Sequence, residues 1–215
     1  MISYFQHNQS QIMSWLGWHA RLSAIPLVFG LIISLPLGWF ARRYRWAYPP
    51  VVSIAGLLYT IPSLALFIVL PGLLKTKILD PNNVIVALTI YTVALLVRVV
   101  ADGLAEVPDD VQQAATAMGY RSFGRLIKVE LPIAVPVIGA GLRVAAVSNV
   151  SLVSVSALIG VPELGKLFTN GFQLAYQTPI LIGIILSVLL ALAFDVVIQI
   201  ITRALTPWRR AVQPA

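Results

Sequence analysis

Four ionisable residues stand within or beside long apolar runs: Arg98 and Asp102, four positions apart, then Arg143, then Asp195. An ionisable side chain in such a setting must face protein or water, pair with a neighbour, or snorkel to a surface. Arg98 and Asp102 share one helical face and can pair, while Arg143 and Asp195 sit at comparable depths in their own runs and form a possible second pair. Two chemistries fit: a relay for ions or substrate, or structural charge pairs that lock helix register. No chain of carboxylates or histidines leads across the apolar runs, which favours the structural pairs and argues against a proton-driven antiporter. Enzyme chemistry has little to work with. There is no cysteine, and the two histidines, His7 and His19, both lie near the N-terminus, so no nucleophile–base set, metal site or disulfide is expected.

A second group is polar without charge. Gly139, Gly141, Ala145, Ala146, Ser148, Asn149, Ser151, Ser154 and Ser156 crowd one apolar run. Small residues let helices approach closely, and the hydroxyls can bond across helices. An asparagine there must face protein or a water-filled path, so Ser148, Asn149 and Ser151 are candidates for lining a translocation pathway; plain helix packing is the alternative. Tyr59 is a further pathway candidate. An aromatic face attracts quaternary ammonium groups, although one ring makes no cage.

The elements that must position these residues follow from composition. Of 215 residues, 59% are hydrophobic and only 11% charged, against about a quarter charged in soluble domains. This is an all-α, polytopic membrane protein, with spans predicted at about residues 22–40, 51–74, 84–105, 132–160 and 179–205. Pro26 and Pro36 predict bends in the first span, and Pro62 in the second frees a carbonyl that Thr60, Ser63 or water can satisfy. Residues 1–14 lack the positive and apolar regions of a cleavable signal. Ile12, Trp15, Leu16 and His19 recur at helical spacing instead, predicting an N-terminal helix lying in the membrane interface, with Asn8 or Ser10 as its cap; a frayed tail is the alternative. The net charge of +7 comes without a basic stripe interleaved with aromatics, so nucleic acid is not an expected partner, whereas membrane lipid is. The charge reports topology. One side of the five-span plan collects Arg42, Arg43, Arg45, Arg121, Arg125, Lys128, Arg203, Arg209 and Arg210, the other only Arg21, Lys75, Lys77 and Lys166. Basic residues accumulate on the cytoplasmic side, which predicts the N-terminus outside, the C-terminus inside, and the loop over residues 106–131 in the cytoplasm. Gly160–Gly165 then opens an external segment running through Tyr176.

That loop is the longest polar, charge-bearing segment of the chain. Pro108, Asp109 and Asp110 start a short helix containing Ala114, Ala115 and Ala117, and Gly119 can end it in a left-handed cap. Ser122 can cap a second helix whose Phe123, Leu126, Ile127 and Glu130 share a face. The product is a helix-turn-helix outside the bilayer, with a small apolar knuckle suited to a socket on another protein.

The loop reads Gln113-Ala114-Ala115, three residues, Gly119, nine residues, Val129-Glu130-Leu131-Pro132. This resembles the EAA motif of bacterial ABC importer permeases, with Gln113 where the family usually has Glu. The five-span plan, Thr60-Ile61-Pro62-Ser63 and Gly141-Leu142-Arg143 extend the resemblance over most of the chain. It is similar to type I, MetI-like permeases of the osmoprotectant branch (glycine betaine, carnitine, choline), with D-methionine permeases as the neighbouring alternative. The resemblance implies a bacterial inner-membrane location and ATPase-coupling roles for Gln113, Ala114, Ala115, Met118, Gly119, Tyr120, Leu131 and Pro132. It also implies a cytoplasmic ABC ATPase dimer, a second permease subunit, identical or paralogous, and an extracellular substrate-binding protein. The chain has no Walker-type phosphate loop, so ATP and Mg are expected on the partner ATPase, with no cofactor on this chain. A stand-alone secondary transporter would show internal repeats and buried ionisable relays, and neither is evident.

Overall fold

The computed structural model describes residues 2–208, and among them every regular element is helical. Arg209 and Arg210, counted above toward topology, lie outside the described residues.

Helix α5 (Pro81–Ala105) is the axle. Asp80 caps it by accepting from the Asn82 N–H at 2.9 Å, and Pro81 supplies a first helical residue that needs no partner. Valine, leucine and alanine then surround the helix, and Val84, Ala87, Leu88, Leu96, Val97 and Val100 are buried, each at or near full burial. A helix apolar on all sides belongs inside a bundle. Alongside it lie α2 (Gln9–Arg43), α3 (Tyr48–Thr60) and α8 (Leu131–Val153), and α10 (Gln177–Leu205) packs on α8. Glycine permits the closest of these crossings. A Cβ on Gly38 of α2 would meet Val100 Cγ1 at 2.6 Å, so a larger residue there would drive α2 off the axle.

Four helical stretches are long and apolar enough to cross a membrane: Gln9–Arg43, Pro81–Ala105, Ser122–Ile159 and Gln177–Leu205. The fifth candidate is α3 with α4 (Ser63–Leu74), which meet at an angle of 100°. The predicted second span over 51–74 is therefore broken rather than merely bent. Pro62 has no N–H and holds Ile61 extended (φ −64°, ψ 130°), so the chain leaves α3 and restarts at Ser63. Thr60 gives its hydroxyl to the Leu57 carbonyl at 2.7 Å, as foreseen for this residue type, but the Ile61 carbonyl at the break accepts from the Tyr91 hydroxyl of α5.

The N-terminus also differs from expectation. Short α1 (Ile2–His7) precedes one continuous 35-residue helix that starts at Gln9 and absorbs the predicted interfacial segment. Ile12 and His19 are fully buried, and Ile12 packs with Leu164, Leu167 and Ile182 instead of meeting lipid headgroups. Asn8 occupies the cap position without a side-chain cap bond; its amide turns back to the Tyr4 carbonyl at 3.0 Å. At the other end of the bundle, α7 (Ser122–Arg125) does not stop before Pro132. It passes through a π-helical turn, Leu126–Glu130, straight into α8: the Leu131 N–H reaches back five residues to the Leu126 carbonyl, and this wider turn lies directly before Pro132, which has no N–H to give. Beyond α8, a 3-10 turn (Ser154–Ile159) ends at Gly160 (φ 100°) and leads to α9 (Gly165–Gln173).

Candidate functional site

The polar loop between α5 and α8 forms a bent knuckle. Helix α6 (Asp109–Ala117) carries both aspartates in its first turn, where they complement the exposed N–H groups. Its end is built around Gly119, in the left-handed region at φ 87°: the Tyr120 N–H reaches the Ala115 carbonyl at 3.1 Å and the Gly119 N–H reaches Thr116 at 3.0 Å. Ala115 is buried under the turn, while Gln113, Ala114 and Gly119 face outward. Ser122 does not cap α7, because Arg121 occupies the cap position. The predicted common face of the second helix divides too. Leu126 and Glu130 are buried, whereas Phe123 and Ile127 are exposed, as is Met118 at the end of α6; Met118 is 71% and Phe123 67% exposed. Arg125 fixes the knuckle to the bundle, with Nε donating to Glu130 Oε1 at 2.6 Å and Nη1 to the Thr116 hydroxyl at 2.9 Å. Leu131 and Pro132, half-buried, begin α8 directly beneath.

A polar groove runs along a different face. Tyr59 of α3, Ile61 and Ser63 at the break, Tyr91 of α5, and Ser148, Ser151 and Leu152 of α8 surround a recess of about 280 Å³. The rings of Tyr59 and Tyr91 meet edge to face, centroids 5.8 Å apart. Tyr59 also borders a second recess of about 280 Å³ with Val52, Ala55, Gly56, Ala94, Leu95 and Arg98. Ser148 likewise borders a third, of about 510 Å³, with Ala140, Arg143, Val144, Val147 and Asp195. Three of the four sequence candidates for a pathway thus meet in one recess. Asn149 does not: it is 2% exposed and its amide donates to the Thr92 hydroxyl at 3.0 Å and the Ser23 carbonyl at 3.4 Å, tying α8 to α5 and α2. Helical rotation between Ser148 and Asn149 explains the separation, since neighbouring positions point about 100° apart. Tyr91 was missed from sequence; its signal, an aromatic hydroxyl in an apolar run, is shared with many interfacial tyrosines.

The charge pairs differ in quality. Arg143 and Asp195 join α8 to α10 in a two-pronged contact, Nε–Oδ1 at 2.6 Å and Nη2–Oδ2 at 2.9 Å. Arg98 reaches Asp102 only at 3.4 Å, because the Tyr48 hydroxyl holds the other oxygen of Asp102 at 2.6 Å.

One buried pair had no sequence expectation at all. His19 and Glu163 are both fully buried, at the end of the bundle opposite the knuckle. His19 Nε2 faces the Val150 carbonyl at 3.0 Å and must donate to it, and Nδ1 faces Glu163 Oε2 at 2.8 Å. The same Oε2 accepts from the Gly165 N–H at 2.7 Å, while Oε1 has no partner among the described residues. The contact is a buried hydrogen bond between ring and carboxyl. It clasps α2 to α8 and to the turn that starts α9.

Residues 27–207 match the family described as binding-protein-dependent transport system inner membrane component. The chain belongs to this family. Among its relatives are the osmoprotectant import permease protein OsmW of Salmonella typhimurium, 33% identical over 96% of this chain and 97% of that protein, and the carnitine transport permease protein OpuCD of Listeria monocytogenes, 29% identical over 100% and 95%. The choline transport system permease protein OpuBD of Bacillus subtilis is 28% identical over 98% and 92%. The fold is that of a subunit in an inward-facing structure of the MetNI methionine ABC transporter, with a TM-score of 0.80 at 21% identity over 92% of this chain and 97% of that one. The chain is accordingly an inner-membrane permease component of a binding-protein-dependent transport system rather than an enzyme.

Proposed function

We propose that this chain is the translocation subunit of an ATP-driven importer of quaternary-amine osmoprotectants, the class that includes glycine betaine, carnitine and choline. The observation that carries the reading is end-to-end similarity to three permeases whose names cover osmoprotectant, carnitine and choline transport. The knuckle around Gly119 supplies the coupling surface. Its outward Gln113, Ala114 and Gly119 allow close backbone approach, and Met118 and Phe123 offer exposed apolar side chains to a groove on a cytoplasmic ATPase dimer that binds ATP and Mg. The polar groove through Tyr59, Ser148 and Ser151 faces a second permease subunit, a copy or a paralogue, and between the two subunits the substrate crosses. A binding protein delivers substrate at the end of the bundle that carries α9, and the excess of Arg and Lys at the other end supports an N-terminus outside and a C-terminus in the cytoplasm. Binding of ATP closes the ATPase pair and drives the knuckles, so the pathway alternates between outward and inward openings.

Uptake of labelled glycine betaine, carnitine, choline and methionine into vesicles holding the complete transporter tests this, beside a Gly119→Asp variant. A side chain at φ 87° is strained, but aspartate tolerates the left-handed region better than most residues and a Cβ at Gly119 meets nothing within 4 Å, so the variant places charge on the docking surface at a modest local cost, and its level in the membrane is measured beside uptake. ATP-dependent accumulation of a quaternary amine, lost in the variant, is the expected result. Methionine accumulation instead would overturn the substrate class, and uptake without the ATPase would overturn the mechanism.

A further inference from the structure

Arg98 stands in an apolar helix with most of its hydrogen-bonding capacity unused. Its side chain is 65% exposed, and among the described residues its guanidinium makes one polar contact, the 3.4 Å approach of Nε to Asp102. Tyr48 explains the slack, since its hydroxyl takes the nearer share of the Asp102 carboxylate at 2.6 Å. What remains is a planar fork of donors, the geometry that grips a carboxylate with two parallel bonds. An intramembrane arginine left so lightly paired calls for a partner.

The groove shows where that partner comes from. Arg98 borders a recess with Gly56 and Tyr59, and Tyr59 also borders the neighbouring recess with Tyr91, Ser148 and Ser151. Tyr59 is 43% exposed and offers aromatic surface to a cation, with no carboxylate among the residues lining either recess, while Tyr91 is buried behind it. Tyr59 and Arg98 line the same recess of about 280 Å³. One recess therefore holds an aromatic ring for an ammonium group and a guanidinium for a carboxylate.

We propose that Arg98 is a specificity-determining residue that selects substrates carrying a carboxylate beside their quaternary ammonium, favouring zwitterions such as glycine betaine and carnitine over the cation choline. This rests on the quaternary-amine reading above and deepens it. A zwitterion presents its ammonium to Tyr59 and offers Arg98, in the same recess, the acceptor it lacks. Choline carries only a positive charge toward a guanidinium and is repelled.

The test reads binding inside the permease, apart from the binding protein's own selectivity. Saturation-transfer NMR on the purified complete transporter, without its binding protein, measures Kd for glycine betaine and choline in the wild type and in Arg98→Gln, Arg98→Lys and Tyr59→Ala. The wild type is expected to bind glycine betaine on the order of tenfold more tightly than choline, a ratio set by one charge-assisted contact. Arg98→Gln erases the ratio by weakening glycine betaine alone, Arg98→Lys restores part of it, and Tyr59→Ala weakens both ligands. Equal weakening of both ligands in Arg98→Gln, or no wild-type preference, overturns the proposal. If neither ligand binds while vesicles with the full system accumulate glycine betaine, this subsite is wrong and the proposed function stands. If those vesicles accumulate neither, both fall.

Discussion

The knuckle at one end of the bundle and the His19–Glu163 clasp at the other each depend on an ion pair, and they are opposites in every other respect. The knuckle is exposed, local in sequence, and held by Arg125 and Glu130, five residues apart. The clasp is fully buried and joins residues 144 apart in the chain. A surface that must meet another protein has to be built from neighbours, so that it can move as a piece. A contact that holds the bundle has to join distant segments, because only those need joining. Burial then sets the magnitude, since a pair removed from water is costly to break by halves.

The largest effect is therefore expected at the clasp. Glu163→Ala leaves His19 facing a void, and His19→Ala leaves a buried carboxyl without its partner; each should lower stability by about 3–5 kcal/mol. Thermal unfolding of the purified protein measures this. Glu163→Gln should be intermediate, because the amide keeps the side-chain volume but the atom at the Oε2 position cannot both donate to Nδ1 and accept from the Gly165 N–H. Equal losses in Glu163→Ala and Glu163→Gln would show that the bonds made by Oε2 hold the clasp and the volume of the side chain does not, breaking the comparison in its simplest form.

The same contrast governs what could be read without coordinates. The knuckle was legible almost residue by residue: Pro108 to start, alanines to propagate, Gly119 to cap. Each of these acts within one turn of itself, and local rules suffice. Ser122 failed as a cap because the helix starts one residue early, with Arg121 at the cap position, and the π-helical turn through Leu126–Glu130 joins α7 to α8 without a break at Pro132. In the span region, length and hydropathy located the helices but not their rotation, so Ser148 and Asn149 were grouped although they face different surroundings. The clasp was invisible. His19 read as part of an interfacial pattern and Glu163 as one residue of a glycine-flanked turn, and neither carries a mark of its partner.

A smaller effect is expected at the knuckle's own pair. Arg125→Met keeps much of the side-chain volume but strands Glu130, which is only 7% exposed. Arg125 itself is 23% exposed in its side chain, so water can reach part of the vacated site. Loss of this charge-assisted bond and of the Thr116 contact should cost about 2 kcal/mol in the same unfolding measurement, less than either alanine change at the clasp. A loss as large as at the clasp would mean that the knuckle is part of the core and not a separately held lever.

The smallest effect is expected where the family pattern itself is altered. Gln113 stands on the exposed surface of α6 where relatives of this motif carry a carboxylate, and nothing in the knuckle's own hydrogen bonding uses it. Restoring the charge with Gln113→Glu adds at most one solvent-exposed ion pair to a docked ATPase, a contact of about 0–1 kcal/mol. Transport rate should therefore change by less than about fivefold, while thermal stability stays within about 0.5 kcal/mol of the wild type. Raising the salt concentration separates the two ways this can fail. A rate gain that vanishes in high salt would mark a long-range attraction between the new carboxylate and a basic ATPase surface, whereas a salt-independent gain would place Gln113 in a dehydrated socket.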